Sequence, residues 1–220
     1  MKKFIRTLFI WGIIFLAGSI FYFKSQPYFE RTFGTTNPLP YLSYRIEQLF
    51  NPNKFNQLNN DEPQDNGHTF EQAKATVYIN LSNKTLYQAT LTGLRAWNNT
   101  SAFNFKTTNN KKDAQIIVEA MDKSNTNAAG LTDTEYNSLT GHLLHATVRL
   151  NSFYLLNPQY NYSYDRIVNT VEHELGHAIG LNHENGVSVM YPQGSFYTIQ
   201  PTDINNVKKL YHESTKNEMN

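Results

Sequence analysis

His173, Glu174, His177, Gly180 and His183 fall within the run HELGHAIGLNH. Two imidazoles stand four apart, a third follows six further on, and a carboxylate neighbours the first. An α-helix turns once in about 3.6 residues, so His173 and His177 project from one face, one turn apart, and can reach a single ion. His183 lies ten residues after His173, and a straight helix would carry it roughly 15 Å away. The chain must therefore break and fold back. Gly180 sits where the break is needed, because glycine accepts φ > 0 without a Cβ clash and commonly ends helices. Three neutral imidazole nitrogens with a fourth position open describe a catalytic zinc site, whereas structural sites are closed by four protein ligands, usually including cysteine. The chain has no cysteine, so a cysteine-based structural zinc site is excluded. Glu174 points at the flank of the site, where it can take a proton from water held at the ion.

Downstream of the third histidine stands Ser188-Val189-Met190-Tyr191-Pro192. The long histidine motif followed by a methionine turn resembles the metzincin metallopeptidases, and the Met-Tyr-Pro form is similar to the matrixin branch. That resemblance implies a zincin fold of the α+β class: a twisted, mixed, five-stranded sheet with an active-site helix and two further helices. It implies that His173, His177 and His183 hold one catalytic Zn²⁺, that Glu174 is the general base, and that Met190 lies beneath the histidines. Gly180 and Met190 support the site without reacting. Residues 193–199 resemble the wall of the pocket that receives the substrate side chain beyond the scissile bond.

The resemblance extends from about residue 75 to about residue 211. Residues 75–80 (ATVYIN) alternate and are β-branched, which predicts a strand. Leu86, Ala89, Thr90, Leu94 and Trp97 recur at helical spacing and predict a helix over 84–98. Residues 103–107, 114–121 and 145–153 read as further strands. A helix is expected over 163–181, with Ser163 as N-cap and Ile167, Val168, Val171, Leu175 and Ile179 buried. Pro201 opens a last helix. A substrate-binding sheet edge is expected in the 128–150 region, without named residues. Asp165 and Asp203 read as helix caps.

Several features depart from the matrixin pattern. Latency through a propeptide cysteine is excluded in a chain without cysteine. The interval from His183 to Met190, seven residues, is about one shorter than usual. Glu184 resembles the astacin branch, but Pro192 stands where astacins place a tyrosine, so Tyr191 reads as a packing residue. A second, structural Zn²⁺ or Ca²⁺ would have only His142 and His145 in the relevant stretch, without accompanying carboxylates. Those two read as edge residues, His68 as solvated and His212 as a helix-end histidine.

Before the catalytic segment, Lys2, Lys3 and Arg6 precede an uncharged run over residues 7–23, closed by Lys24. Seventeen residues of helix span about 26 Å, near the thickness of a hydrocarbon core. Residues 1–24 are thus a membrane anchor or a signal segment; no small-x-small cleavage pattern follows the apolar run, which favours the anchor. The basic residues put the N-terminus inside and the remainder outside, giving a single-pass membrane protein with an extracellular catalytic domain, or a secreted enzyme if the segment is removed. Residues 25–70 read as a polar juxtamembrane linker rich in Asn, Gln and Pro, with a short amphipathic helix at 41–50 that would lie on the membrane, on the catalytic domain or across the cleft. Residues 71–215 form the catalytic domain.

A formal charge of +1 gives no case for a nucleic-acid partner, and a monomer is expected. The combined expectation is a zinc-dependent endopeptidase cutting extracellular or cell-surface proteins through a zinc-activated water and a glutamate base. The competing readings are a zinc-binding module that has lost catalysis, which retention of Glu174 argues against, and a structural surface protein, which the methionine turn argues against.

Overall fold

A computed structural model describes residues 2–50, 67–193 and 195–217. Five strands build one sheet: β1 (Lys74–Asn80), β2 (Asn104–Thr107), β3 (Ile116–Met121), β4 (Gly130–Tyr136) and β5 (Leu143–Asn151), in the order β2-β1-β3-β5-β4. The first four in that order run parallel, and β4 pairs antiparallel with β5 at an edge. Helices α1 (Lys2–Phe33) and α2 (Leu39–Phe50) precede the sheet. Helix α3 (Lys84–Asn99) follows β1, α4 (Tyr164–Ala178) follows β5, and α5 (Pro201–Asn217) ends the described chain. This is the mixed, five-stranded α+β architecture expected from the sequence.

The core forms where α3 and α4 close on the sheet. Val77, Ile116, Val118, Val148 and Leu150 from the strands meet Leu86 and Trp97 from α3, and Val171 and Leu175 from α4. Apolar positions three and four apart give each helix one buried stripe. Trp97 is fully buried, and its indole N–H donates to the carbonyl of Glu172 at 2.9 Å, so α3 is tied to the backbone of the histidine helix by a satisfied polar group.

The structure differs from the sequence reading at the element ends. The strand expected over 145–153 stops at Asn151 and gives way to one helical turn, Ser152–Leu155. Asn151 is the reason. Its buried side chain accepts from the N–H groups of Lys123 and Phe153 and donates to the carbonyls of Lys123 and Ala128, drawing the segment that leads into β4 against the strand end. Strand β4 had no signal of its own: GLTDTEY is polar and opens on glycine, a poor strand former. Residues 25–33, read as linker, continue α1 through Pro27. Thr32 and Phe33 are buried, so tertiary contact holds the helix where composition suggested none. The short amphipathic helix lies on the catalytic domain, beside the cleft. Residues 51–66 of the expected linker lie outside the described residues.

Candidate active site

Helix α4 begins as its sequence predicts. Ser163 accepts from the N–H of Arg166 with its side-chain oxygen, and Ile167, Val168, Val171 and Leu175 are buried. The helix ends at Ala178 rather than 181. Gly180 has φ +100°, and a Cβ there would overlap the carbonyl oxygen of His68. The same Gly180 accepts from Gly67 N at 3.1 Å. This turn reverses the chain and returns His183 to the helix.

The three imidazoles converge. His177 Nε2 lies 3.0 Å from His173 Nε2 and 3.2 Å from His183 Nε2. Two rings are oriented from behind. His173 Nδ1 lies 2.7 Å from the Val189 carbonyl, and His177 Nδ1 lies 2.9 Å from the Leu181 carbonyl. A carbonyl only accepts, so each Nδ1 carries the proton and each Nε2 presents a bare lone pair. Burial holds His173 down to about 4; the nearby His183 adds to the fall and the Val189 carbonyl opposes it. Burial likewise holds His177 well below its ordinary value and lowers His183. Neutral rings with inward lone pairs repel one another unless a cation lies among them. Tetrahedral zinc with Zn–N near 2.0–2.1 Å would space its nitrogens by about 3.4 Å, close to the two separations found. The donor set therefore fits zinc. Among the described residues, this trio is the one group of three or more His, Cys, Asp or Glu grouped closely enough to hold an ion.

Met190 is buried with its sulfur against Gly176 of the histidine helix: a Cβ on Gly176 would overlap Met190 Sδ well inside 3.0 Å. The turn that carries Met190 is fastened by Asp203. This fully buried carboxylate accepts from the Ser188 hydroxyl and from the N–H groups of Val189 and Gln200. Asp203 thus caps α5, as expected from the sequence, and also fixes the residue whose carbonyl aims His173.

Glu174 is buried, with its carboxylate against β4. Thr132 Oγ1 donates to Glu174 Oε2 at 2.7 Å and lies 3.1 Å from the Glu174 carbonyl. A Cβ on Gly130 would overlap Oε1, Cγ and Cδ of Glu174. Gly130 and Thr132 were not singled out from the sequence; a glycine two residues before a threonine carries no signal until the strand is placed against the helix.

His173 and Glu174 line a cleft of about 650 Å³. Ala128, Ala129 and Gly130 from the approach to β4, Tyr191, Gln193 and Phe196 from the segment after the methionine, and Ser43, Tyr44 and Glu47 from α2 also line it. Tyr191 packs edge-on against Tyr197, as its packing role predicts. His68, expected to be solvated, is half-buried: it stacks on Tyr136 at 3.7 Å and its Nδ1 lies 2.8 Å from the Gly141 carbonyl. His142 is engaged through Nδ1 with the Thr69 carbonyl, and His145 is exposed on β5 opposite Glu135.

A mixed five-stranded sheet, a helix carrying two of three convergent imidazoles and a methionine turn packed on that helix define a metallopeptidase of the metzincin class. The matrixin family's sequence profile matches residues 64–212, more than half of the chain, and the chain belongs to that family. It is accordingly a zinc-dependent peptidase, a hydrolase, and membership implies a catalytic zinc with which the histidine group is compatible. A comparison with curated proteins returns no match.

Proposed function

We propose that the chain is an endopeptidase acting on proteins outside the cell, with His173, His177 and His183 holding the zinc and Glu174 as the general base. The observation that carries this reading is the approach of three Nε2 atoms to one point beside a buried carboxylate. When bound, the ion supplies Lewis acidity, polarising a carbonyl and bringing the pKa of water toward 7. The Val189 and Leu181 carbonyls hold His173 and His177 in the tautomer that leaves Nε2 free to bind. Glu174 accepts the proton of the attacking water and returns it to the leaving amine. Thr132 and Gly130 position that carboxylate from the edge strand. Strand β4 is an edge of the sheet among the described residues, so an extended peptide can add itself to the sheet by backbone hydrogen bonds and bring its scissile bond to the cleft. Met190 and Gly180 act only through the shape of the site.

The same proposal places the enzyme on a membrane, with substrate met outside. Phe9–Phe33 is long and apolar enough to cross a bilayer by length and composition, properties that a signal segment shares. Phe15 and Phe21 on this helix are exposed at 79% and 72%, so the described residues leave those rings bare. Helix α1 also runs unbroken into contact with the catalytic domain, which supports retention.

The test uses the full chain in detergent micelles with zinc and a denatured protein substrate. Cleavage is expected, lost with a chelator and restored by zinc. Glu174→Gln should cleave at least 100-fold more slowly, as loss of a positioned general base does, while keeping the parent's zinc content. Equal rates for parent and variant would overturn the role of Glu174. A zinc-loaded parent that cuts nothing in a broad peptide panel would favour the binding module.

A further inference from the structure

The chemistry above makes no use of residues 28–50, yet they occupy one side of the cleft. At the end of α1, the Phe33 carbonyl accepts from Asn169 Nδ2 at 3.1 Å. The same amide group donates to the carbonyls of Ser195 and Phe196 at 3.2 and 3.0 Å. Gln200 Nε2 donates to the Arg31 and Thr32 carbonyls, and Thr198 N donates to the Thr32 carbonyl. Thr32 and Phe33 are 5% and 6% exposed, as buried as core residues. Beyond the turn, aromatic rings continue the contact. Phe33 stacks on Tyr197 at 5.6 Å, and Tyr41 lies 4.7 Å from Phe33. The Tyr44 ring lies 4.5 Å from Phe196, and its hydroxyl donates to Gln193 Oε1 at 2.9 Å. Residues 195–200, which lack regular secondary structure, are thereby held from two sides: by Asn169 and Glu172 of α4, and by the N-terminal segment.

A cover lies across a site, whereas these contacts run along its side. The bonds from α1 go to Asn169, Gln200 and Thr198, and those from α2 to Gln193 and the aromatic rings. His173 and Glu174 line an open cleft together with Tyr44. Burial pushes the Tyr44 hydroxyl up to about 12, with nearby Tyr191 adding to the rise.

We propose that residues 28–50 are a permanent wall of the substrate cleft, and that Tyr44 is a specificity-determining residue. Its ring and hydroxyl set the position of Gln193 and Phe196, and the resulting aromatic surface takes a large apolar or aromatic substrate side chain. The proposal rests on the peptidase reading for its substrate, but its structural half does not. Residues 28–50 are then part of the working enzyme, neither a bare linker to the anchor nor a removable inhibitor.

The experiment compares full-length parent, Tyr44→Ala and Tyr44→Phe, zinc-loaded in micelles, on two peptides that differ only in Phe or Ala after the cleaved bond. The ratio of kcat/KM values, Phe peptide over Ala peptide, should fall about 10-fold or more in Tyr44→Ala, the scale of a lost apolar contact. Tyr44→Phe, which keeps the ring, should retain most of it. Amide hydrogen exchange over residues 195–200 should accelerate in Tyr44→Ala while β1 and β3 stay protected. An unchanged ratio would overturn the specificity role. Equal gains in kcat/KM on both peptides would mean an inhibitory cover and overturn the wall. A parent that cuts neither peptide counts against the peptidase reading; the exchange measurement then still decides, since unaltered protection over 195–200 overturns the wall.

Discussion

At the scale of single residues, the proposed general base depends on two neighbours that do no chemistry. Glu174 must hold its carboxylate in one place within a buried site, and the strand beside it supplies a hydroxyl and an absence. Thr132 donates to Oε2; Gly130 leaves the space that Oε1, Cγ and Cδ occupy. Adding a single methyl group at Gly130 forces the carboxylate aside, and misplacement by about 1 Å can cost on the order of 100-fold in rate. Gly130→Ala should therefore lower kcat by about that factor while zinc content stays at the parent's level. Thr132→Val keeps the branched shape and removes the donor, and should cost less, about 10-fold in kcat. Stopped assays with zinc stoichiometry on the same preparations check both. A Gly130→Ala enzyme that turns over at the parent's rate would show that the carboxylate has room the structure does not give it.

At the scale of elements, α4 carries two of the clustered histidines on one side and a buried acid on another. Glu172 accepts from Thr198 Oγ1 at 2.7 Å and from Ile199 N at 3.3 Å, fastening the segment that leads into α5. Burial pushes its carboxyl up to about 7, with the two hydrogen bonds opposing the rise. The folded state thus binds this proton more tightly than the unfolded chain, whose value is near 4.5. Stability from the protonated form is complete below pH 4.5 and is lost as pH rises through about 7. Glu172→Gln cannot ionise. Relative to the parent, the variant should gain stability between pH 5 and pH 8, by up to about 3 kcal/mol, read from denaturant midpoints at each pH with zinc held constant. A difference that does not move with pH would mean that Glu172 stays charged without penalty. The same helix shows what a sequence can reveal. Two ligands one turn apart, a glycine that must reverse the chain and an N-cap serine are local facts, so the histidine trio and Met190 were legible from spacing and resemblance. Thr132 is 42 residues from Glu174 and Phe33 is 136 from Asn169. No periodicity encodes such pairs, and β4 itself, polar and glycine-led, shows its identity only once β5 is beside it. The N-terminal stretch misled by composition: Asn- and Pro-rich residues suggested a linker, while two buried residues at the end of α1 decide the packing.

At the scale of the whole molecule, one amide is shared between the end of α1 and two parts of the catalytic domain. Asn169 donates to Phe33, Ser195 and Phe196, so one side chain joins the end of α1, the segment after the methionine turn and the histidine helix. Asn169→Ala leaves these buried carbonyls without that donor, and an unsatisfied buried polar group costs about 1–3 kcal/mol. In the full chain, the loss should be about 2–4 kcal/mol. For a domain of this size, each kcal/mol shifts Tm by about 2–4 °C, so a drop of roughly 5–15 °C is expected. A chain that begins at residue 67 has already lost the Phe33 carbonyl and the rings of Tyr41 and Tyr44. Its segment 195–200 is held from one side only, and Asn169 has less left to organise. The same substitution should therefore cost the shortened chain less than the full chain, and the two changes should be non-additive, as for residues that share one network. Thermal melts of the four zinc-loaded proteins, full and shortened, each with and without Asn169→Ala, measure the coupling directly. Additive losses would mean that α1 and the catalytic domain fold without regard to one another, and the contact at Phe33 would be incidental to both.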